Sequence, residues 1–329
     1  MDENQYQHLF GTVFKKTIGN YFVHVDDRIV ICEITPRLRK ELLYPIADPN
    51  SLPHIVVGVR DIDMIDPVAV GDQVRFVEPP VGRGLIVEVL PRKSELVRRS
   101  AGQRALEQVI VANVDQVVPV ISAAQPALNL HLLDRYLVAS ESMDLPVLIC
   151  ITKTDLIEEL REFQHEIDVY RQIGYPLVMT SAITGDGIQE LKESLENKVS
   201  VFVGKSGSGK TSLLNSIQPG LGLKINEVNR VTGKGRHTTS NLEMYPIQAD
   251  DGSQGCVVDT PGMREFGFWE LGVEELALMF PEMRPLVGKC KFGLDCSHVH
   301  EPGCAIRQAV EKGKIDDRRY QSYLRLRED

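Results

Sequence analysis

Val201-Phe202-Val203-Gly204-Lys205-Ser206-Gly207-Ser208-Gly209-Lys210-Thr211-Ser212-Leu213-Leu214 joins a short apolar run to a glycine-rich loop and then to a second apolar stretch. The loop fits G-x-x-x-x-G-K-[ST], and strand, loop and helix are the setting in which that spacing cradles phosphate. Glycines let successive backbone N–H groups point inward, so the loop forms a concave nest for anionic oxygens at a helix N-terminus. Gly204, Lys205, Ser206, Gly207, Ser208, Gly209, Lys210, Thr211 and Ser212 are therefore nucleotide-binding candidates. Lys210 would set its ammonium on the β and γ phosphates, and the Thr211 hydroxyl would ligate Mg²⁺.

Downstream, Cys256-Val257-Val258 reads as a second buried strand, ending in Asp259-Thr260-Pro261-Gly262. A carboxylate at a strand end holds Mg²⁺ through its water shell, and the Gly262 N–H reaches a γ-phosphate. Between the two lies Gly233-Lys234-Gly235-Arg236-His237-Thr238-Thr239-Ser240, a loop without apolar periodicity whose threonines offer hydroxyls to the same ion.

Upstream, Thr152-Lys153-Thr154-Asp155 follows the apolar run 146–151 and comes close to N-K-x-D. Guanine presents N1–H and N2–H₂ donors that one carboxylate accepts together, so Asp155 would read the base while the Lys153 stem packs over its ring. Ser181 and Ala182 follow the next strand and resemble the loop whose backbone N–H meets guanine O6. A P-loop enzyme using ATP, such as a kinase, would require Asp155 to be incidental.

The chain has 329 residues, 43% hydrophobic and 25% charged, with a net charge of −9. That composition excludes wholesale disorder and fits two domains, or three small ones. No apolar run approaches the ~20 residues that cross a bilayer. The acidic, polar start lacks the form of a secretory signal, so the cytoplasm is the expected location. Residues 1–99 are net −1, 100–279 net −10 and 280–329 net +2, which leaves the flanks as the better polyanion-binding candidates.

Residues 10–14, 21–25, 28–34, 54–59, 71–76 and 84–90 form short β-prone runs bounded by Pro, Gly or Asp, which predicts a small barrel of the OB or SH3-like kind. Arg83, Arg92, Lys93, Arg98 and Arg99 gather at its far end, either as a solvated strand or as a contact for phosphate backbone. Beyond about residue 104, strand-like runs at 109–111, 116–121, 146–151 and 177–180 alternate with helical patterns. That alternation predicts a parallel sheet between helical layers.

Cys32, Cys150 and Cys256 stand in apolar runs and read as core residues. Cys290-x₅-Cys296-x-His298-x₅-Cys304 supplies three thiolates and one imidazole, the ligand set of a closed structural Zn²⁺ site, with His300 as a competing histidine. The stretch 315–326, with Arg318, Arg319 and Arg325, reads as a basic helix that either packs on the domain or touches RNA.

The motifs run T-K-T-D, S-A, P-loop, G-R-H-T-T, D-T-P-G, an order in which the guanine motifs precede the phosphate loop. With a β-barrel before them and a Cys/His cluster after, they resemble the RsgA (YjeQ-type) family of small ribosomal subunit biogenesis GTPases over essentially the whole chain. The resemblance implies an OB-type RNA-binding barrel over 1–99, a circularly permuted α/β P-loop GTPase domain over 100–275 and a mainly helical zinc domain over 276–329. It also implies a monomer that hydrolyses GTP to GDP when stimulated by the small ribosomal subunit and its RNA. The family pattern C-x-H-x₅-C selects His298. The first cysteine gap is one residue longer than the family's, and Gly293 is expected to absorb it as a bulge.

Two positions depart from the pattern of GTPases. Thr152 replaces an Asn that braces the nucleotide loop, which predicts looser guanine selectivity. Met263 stands where Ras-like enzymes carry a glutamine that orients water, which predicts slow unassisted turnover and points to His237, beside Lys210 and Thr239, as the catalytic substitute. The alternative is a non-catalytic, nucleotide-gated RNA-binding scaffold. Because Asp259–Gly262 runs on through 263–269 into the zinc domain, loss of γ-phosphate is expected to release both switch loops.

Overall fold

The computed structural model describes residues 6–17, 19–26, 28–43, 67–99, 107–221, 242–248, 254–260, 272 and 274–328. The chain divides into two compact units. One comprises Met1–Val114, Thr239–Pro246 and Cys256–Pro261; the other comprises Asp115–Thr238, Ile247–Gly255 and Gly262–Asp329.

In the first unit, β1 (His8–Thr17), β2 (Asn20–Val25) and β3 (Arg28–Ile34) form an antiparallel meander. Helix α1 (Pro36–Leu43) follows, then β4 (Gln73–Val77) and β5 (Gly84–Val89). β3 pairs in parallel with β5, β5 with β4, and β4 returns to β1, so five strands close a barrel in the order expected of an OB-type fold. Bulges between Val13 and Lys15 and between Arg75 and Phe76 supply the bend that closure needs. Alternating residues fill the interior, among them Val13, Tyr21, Val23, Val30, Cys32, Val74, Phe76 and Ile86. The run at 54–59 lies outside the described residues.

Two findings differ from the expectations. The strand at 109–111 does not join the parallel sheet: β6 (Glu95–Arg99) and β7 (Glu107–Ala112) pair with each other as an antiparallel ribbon. β-prone runs close in sequence pair locally at little loop-closure cost. Arg92 is not offered to phosphate either. Its guanidinium binds both oxygens of the buried Asp72 at 2.7 and 2.8 Å and the Pro67 carbonyl at 3.1 Å. α1 was legible in Thr35-Pro36, an N-cap followed by proline in the first turn; the Leu38 N–H donates to Thr35 Oγ1.

The second unit contains β8 (Gln116–Ser122), α2 (Leu130–Ser142), β9 (Ile149–Thr152), α3 (Leu160–Ile173), β10 (Leu177–Met179), α4 (Ile188–Ser194), β11 (Val199–Val203) and α5 (Lys210–Ile217). Strands β10, β9, β8 and β11 lie side by side in parallel. Every residue of β8 and β9 is buried, as in a sheet covered on both faces. β12 (Glu243–Gln248) and β13 (Gln254–Asp259) each contribute residues to both units.

The C-terminal part holds short 3₁₀ turns, α6 (Ala305–Glu311) and α7 (Asp317–Glu328). Leu276, Phe280, Met283, Ile306, Tyr323 and Leu326 share one core with Val138 of α2. Of the basic residues in α7, Arg319 packs inward, 1% exposed. It binds Asp134 of α2 at 2.5 Å and Glu282 at 2.7 Å, and its guanidinium lies 4.6 Å from the Phe280 ring centre. Tyr170 of α3 donates to the same Asp134 at 2.8 Å. Burial therefore forces this arginine into a structural role, because an unpaired charge there would carry its full desolvation cost. Among the described residues, no helix is long and apolar enough to cross a membrane.

Candidate nucleotide and metal sites

The phosphate loop leaves the buried end of β11 and enters α5 at Lys210. Gly204 passes so close to β8 that a Cβ would lie 2.5 Å from the Val120 carbonyl oxygen. Gly209 has φ +94°, a left-handed backbone that only glycine adopts at little cost, and a Cβ there would meet Thr152 Oγ1 at 3.3 Å. The Lys210 ammonium donates to the Gly204 carbonyl at 2.6 Å. Gly207 carries φ +83°, Ser208 is buried, and Thr211 and Ser212 occupy the first turn of α5.

The Thr152–Asp155 motif meets this loop although the two are far apart in sequence. Thr152 Oγ1 donates to the Ser208 carbonyl at 2.5 Å, and Lys153 Nζ donates to the Gly207 carbonyl at 2.8 Å. The Lys153 ammonium also binds the Gln125 carbonyl in the loop after β8. Burial draws its pKa below the ordinary lysine value against the opposing pull of Asp155. Lys153 itself adopts a left-handed conformation, φ +58°. The bracing expected of Asn at position 152 is thus made by a threonine hydroxyl, which reaches the loop carbonyl because Gly209 leaves room beside it.

Asp155 stands exposed at the start of the following turn, and its Oδ1 accepts from Ser181 Oγ at 2.6 Å. The Ser181 oxygen also accepts from the N–H groups of Ile183 and Thr184, at 3.2 and 3.1 Å. Thr154 N–H donates to the Thr180 carbonyl at 3.2 Å, so the two strand-end loops are tied at this point. Ser181 thus orients the carboxylate as well as lying in the predicted loop, and Ala182 beside it is exposed. The contribution of Gln125 had no sequence signal, because a backbone carbonyl acts there. Asp259 ends β13 and is buried, 6% exposed, in the first unit. His237, Thr238, Thr239 and Gly262 lie outside the described residues.

The sulfur and nitrogen cluster brings together the three cysteines and the histidine that the family pattern selects. Cys290, Cys296, His298 and Cys304 are all buried and place one ligand atom each within 4.8 Å of the others. Nδ1 of His298 lies 3.4 Å from Cys290 Sγ and 3.5 Å from Cys304 Sγ, and those two sulfurs are 3.8 Å apart. Tetrahedral zinc, with bonds of about 2.3 Å to sulfur and 2.0–2.1 Å to nitrogen, separates sulfurs by about 3.8 Å and sulfur from nitrogen by about 3.6 Å. The donor set fits that ion. The N–H groups of Ala305 and Arg307 point at Cys290 Sγ and Cys304 Sγ, at 3.3 and 3.5 Å, as suits thiolates. Gly293 forms no bulge: with φ +58° it opens a 3₁₀ turn, Gly293–Asp295, that takes up the longer gap. His300 is exposed and stays out of the cluster.

Residues 89–269 match the model of the RsgA GTPase family. A Bacteroides fragilis protein named small ribosomal subunit biogenesis GTPase RsgA is 36% identical over 97% of this chain and 96% of its own length. A Bacillus cereus protein of the same name is likewise 36% identical over 97% and 96%. The structure of YjeQ from Thermotoga maritima superposes with a TM-score of 0.71 at 32% identity, covering 98% of each chain. That of YloQ, described as a circularly permuted GTPase, superposes at 0.68 and 30% identity, covering 99% of this chain and 96% of the other. With a phosphate loop braced by a guanine-type motif that precedes it in sequence, and with matches spanning nearly the whole length, this chain belongs to the RsgA GTPase family.

Proposed function

We propose that this GTPase acts in the late maturation of the small ribosomal subunit, and that the subunit and its RNA stimulate its hydrolysis of GTP. The carrying observation is the pair of bonds from Thr152 and Lys153 to the carbonyls of Ser208 and Gly207. They tie the strand end that carries Asp155 to the phosphate loop, which supports the reading that both serve one guanine nucleotide. Relatives that match end to end carry the name small ribosomal subunit biogenesis GTPase.

In this reading Asp155 accepts the guanine N–H donors, Lys153 covers the ring, and the backbone at Ser181 and Ala182 meets O6. The 204–212 loop holds the phosphates, with Lys210 on the β and γ groups. The Thr211 hydroxyl offers a hard oxygen that suits Mg²⁺, which neutralises phosphate charge. Thr238, Thr239 and Gly262 sense the γ-phosphate, and His237 orients the attacking water. Zn²⁺ on Cys290, Cys296, His298 and Cys304 holds the 276–329 part together, while the 1–99 barrel contacts RNA. The chain works as a cytoplasmic monomer.

Phosphate release from GTP, measured with and without purified small subunits, tests the reading. Slow turnover alone and a large stimulation by subunits is the expected result. Absence of stimulation overturns the ribosomal reading, and ATP competing equally with GTP overturns the role of Asp155.

A further inference from the structure

We propose that Glu301 is the positioning residue of the metal centre, holding the loop that presents His298. The assignment rests on the reading that the Cys/His cluster binds zinc.

His298 sits at φ +59°, a left-handed conformation that a side-chain-bearing residue rarely adopts. From that backbone Nδ1 lies 3.4 Å from Cys290 Sγ and 3.5 Å from Cys304 Sγ, so the loop around His298 has to be held in a conformation it would rarely adopt alone. The Glu301 carboxylate does so through four acceptor contacts. Oε1 takes the Ser297 N–H at 2.9 Å and the Ser297 hydroxyl; Oε2 takes the N–H groups of Val299 and His300 at 3.1 and 3.2 Å. The loop thus wraps around one carboxylate. Its carbonyls are secured by α7: Tyr320 OH donates to the His298 carbonyl at 2.7 Å, and Tyr323 OH to that of Ser297 at 2.9 Å. The Glu301 carboxyl is held at about 2, first by the Ser297 hydroxyl, so it is ionised and can accept at both oxygens.

If Glu301 acts on the loop, Glu301→Gln loosens it, because the amide replaces one acceptor with an NH₂ facing two donors.

The full-length chain and its Glu301→Gln variant, both loaded with zinc, are compared for metal content, zinc transfer to a chromogenic chelator, and the visible bands of the cobalt(II)-substituted centre. Expected are one zinc per wild-type chain, release from Glu301→Gln faster by tenfold or more, and shifted cobalt bands. Unchanged or slower release from Glu301→Gln overturns the assignment. Should that variant not fold, Ser297→Ala carries the test by deleting one donor to the same carboxylate; release two- to threefold faster supports the assignment, and wild-type release overturns it. A wild-type chain that holds no zinc overturns the zinc reading and this assignment together, whereas a zinc-loaded wild type with an indifferent Glu301→Gln overturns only the latter.

Discussion

Replacing Thr152 by valine keeps the shape of the side chain and removes one hydroxyl. That hydroxyl donates to the Ser208 carbonyl at 2.5 Å, between residues that are 4% and 3% exposed. Valine leaves that carbonyl without its donor, at a cost of about 1–3 kcal/mol for an unsatisfied buried group. Because the bond lies inside the folded unit, the cost appears first in stability, as a midpoint lowered by about 2–4 °C per kcal/mol. It appears again in affinity if the released loop populates geometries that do not bind phosphate. The full 1–3 kcal/mol corresponds to roughly 5- to 150-fold weaker nucleotide binding, an upper bound. Thermal unfolding and titration with a fluorescent GDP analogue measure the two. A Thr152→Val variant that unfolds at the wild-type temperature and binds within twofold would falsify the claim that threonine braces the phosphate loop. Thr152→Asn is the companion test, and retention of wild-type affinity is expected from it only if the amide reaches the same carbonyl beside Gly209.

Asp155→Asn is expected to weaken GTP binding about 100-fold, since an amide meets one of the two guanine donors with an N–H; xanthosine triphosphate, whose base offers an acceptor there, should then compete better than GTP. Equal loss of both nucleotides would place Asp155 outside the base site. Arg319→Met strands Asp134 and Glu282 without their counter-charge and is expected to cost about 3–5 kcal/mol in urea unfolding, and a loss under 1 kcal/mol would show that solvent reaches the carboxylates. Burial pushes the Cys32 and Cys150 thiols up to about 12. The folded state therefore holds their protons more tightly, a stabilisation complete below about pH 9 and lost as pH climbs toward 12. Iodoacetamide at pH 8 should spare both until the chain is unfolded, which mass mapping of the labelled cysteines reads directly.

Much of this protein is written locally. The glycine spacing at 204–209, the apolar strand before it and the helix after it specify a phosphate loop through steric and hydrogen-bond rules that act within a dozen residues. The five barrel strands were legible for the same reason, since β-branched and aromatic runs broken by turn residues admit few alternatives. The Cys/His spacing offered three cysteines with two candidate histidines, and the family resemblance chose His298; the fold brings Cys290, Cys296, His298 and Cys304 together and leaves His300 exposed.

Other features depend on partners that no local pattern announces. Arg92 and Arg319 look like surface charges in sequence; only the fold reveals Asp72 beside one, and Asp134 and Glu282 beside the other, and burial then makes those pairs obligatory. Which β-prone run lies beside β6 was decided by the fold, where β7 takes that place. Whether a threonine could replace asparagine at position 152 was a matter of distance: it turned on a glycine from a different loop lying close enough for a short hydroxyl to reach a carbonyl. Composition and spacing state which chemistry a chain carries, whereas the identity of each group's partner is set by the three-dimensional packing, because hydrogen bonds and ion pairs are decided over a few ångströms of space rather than along the chain.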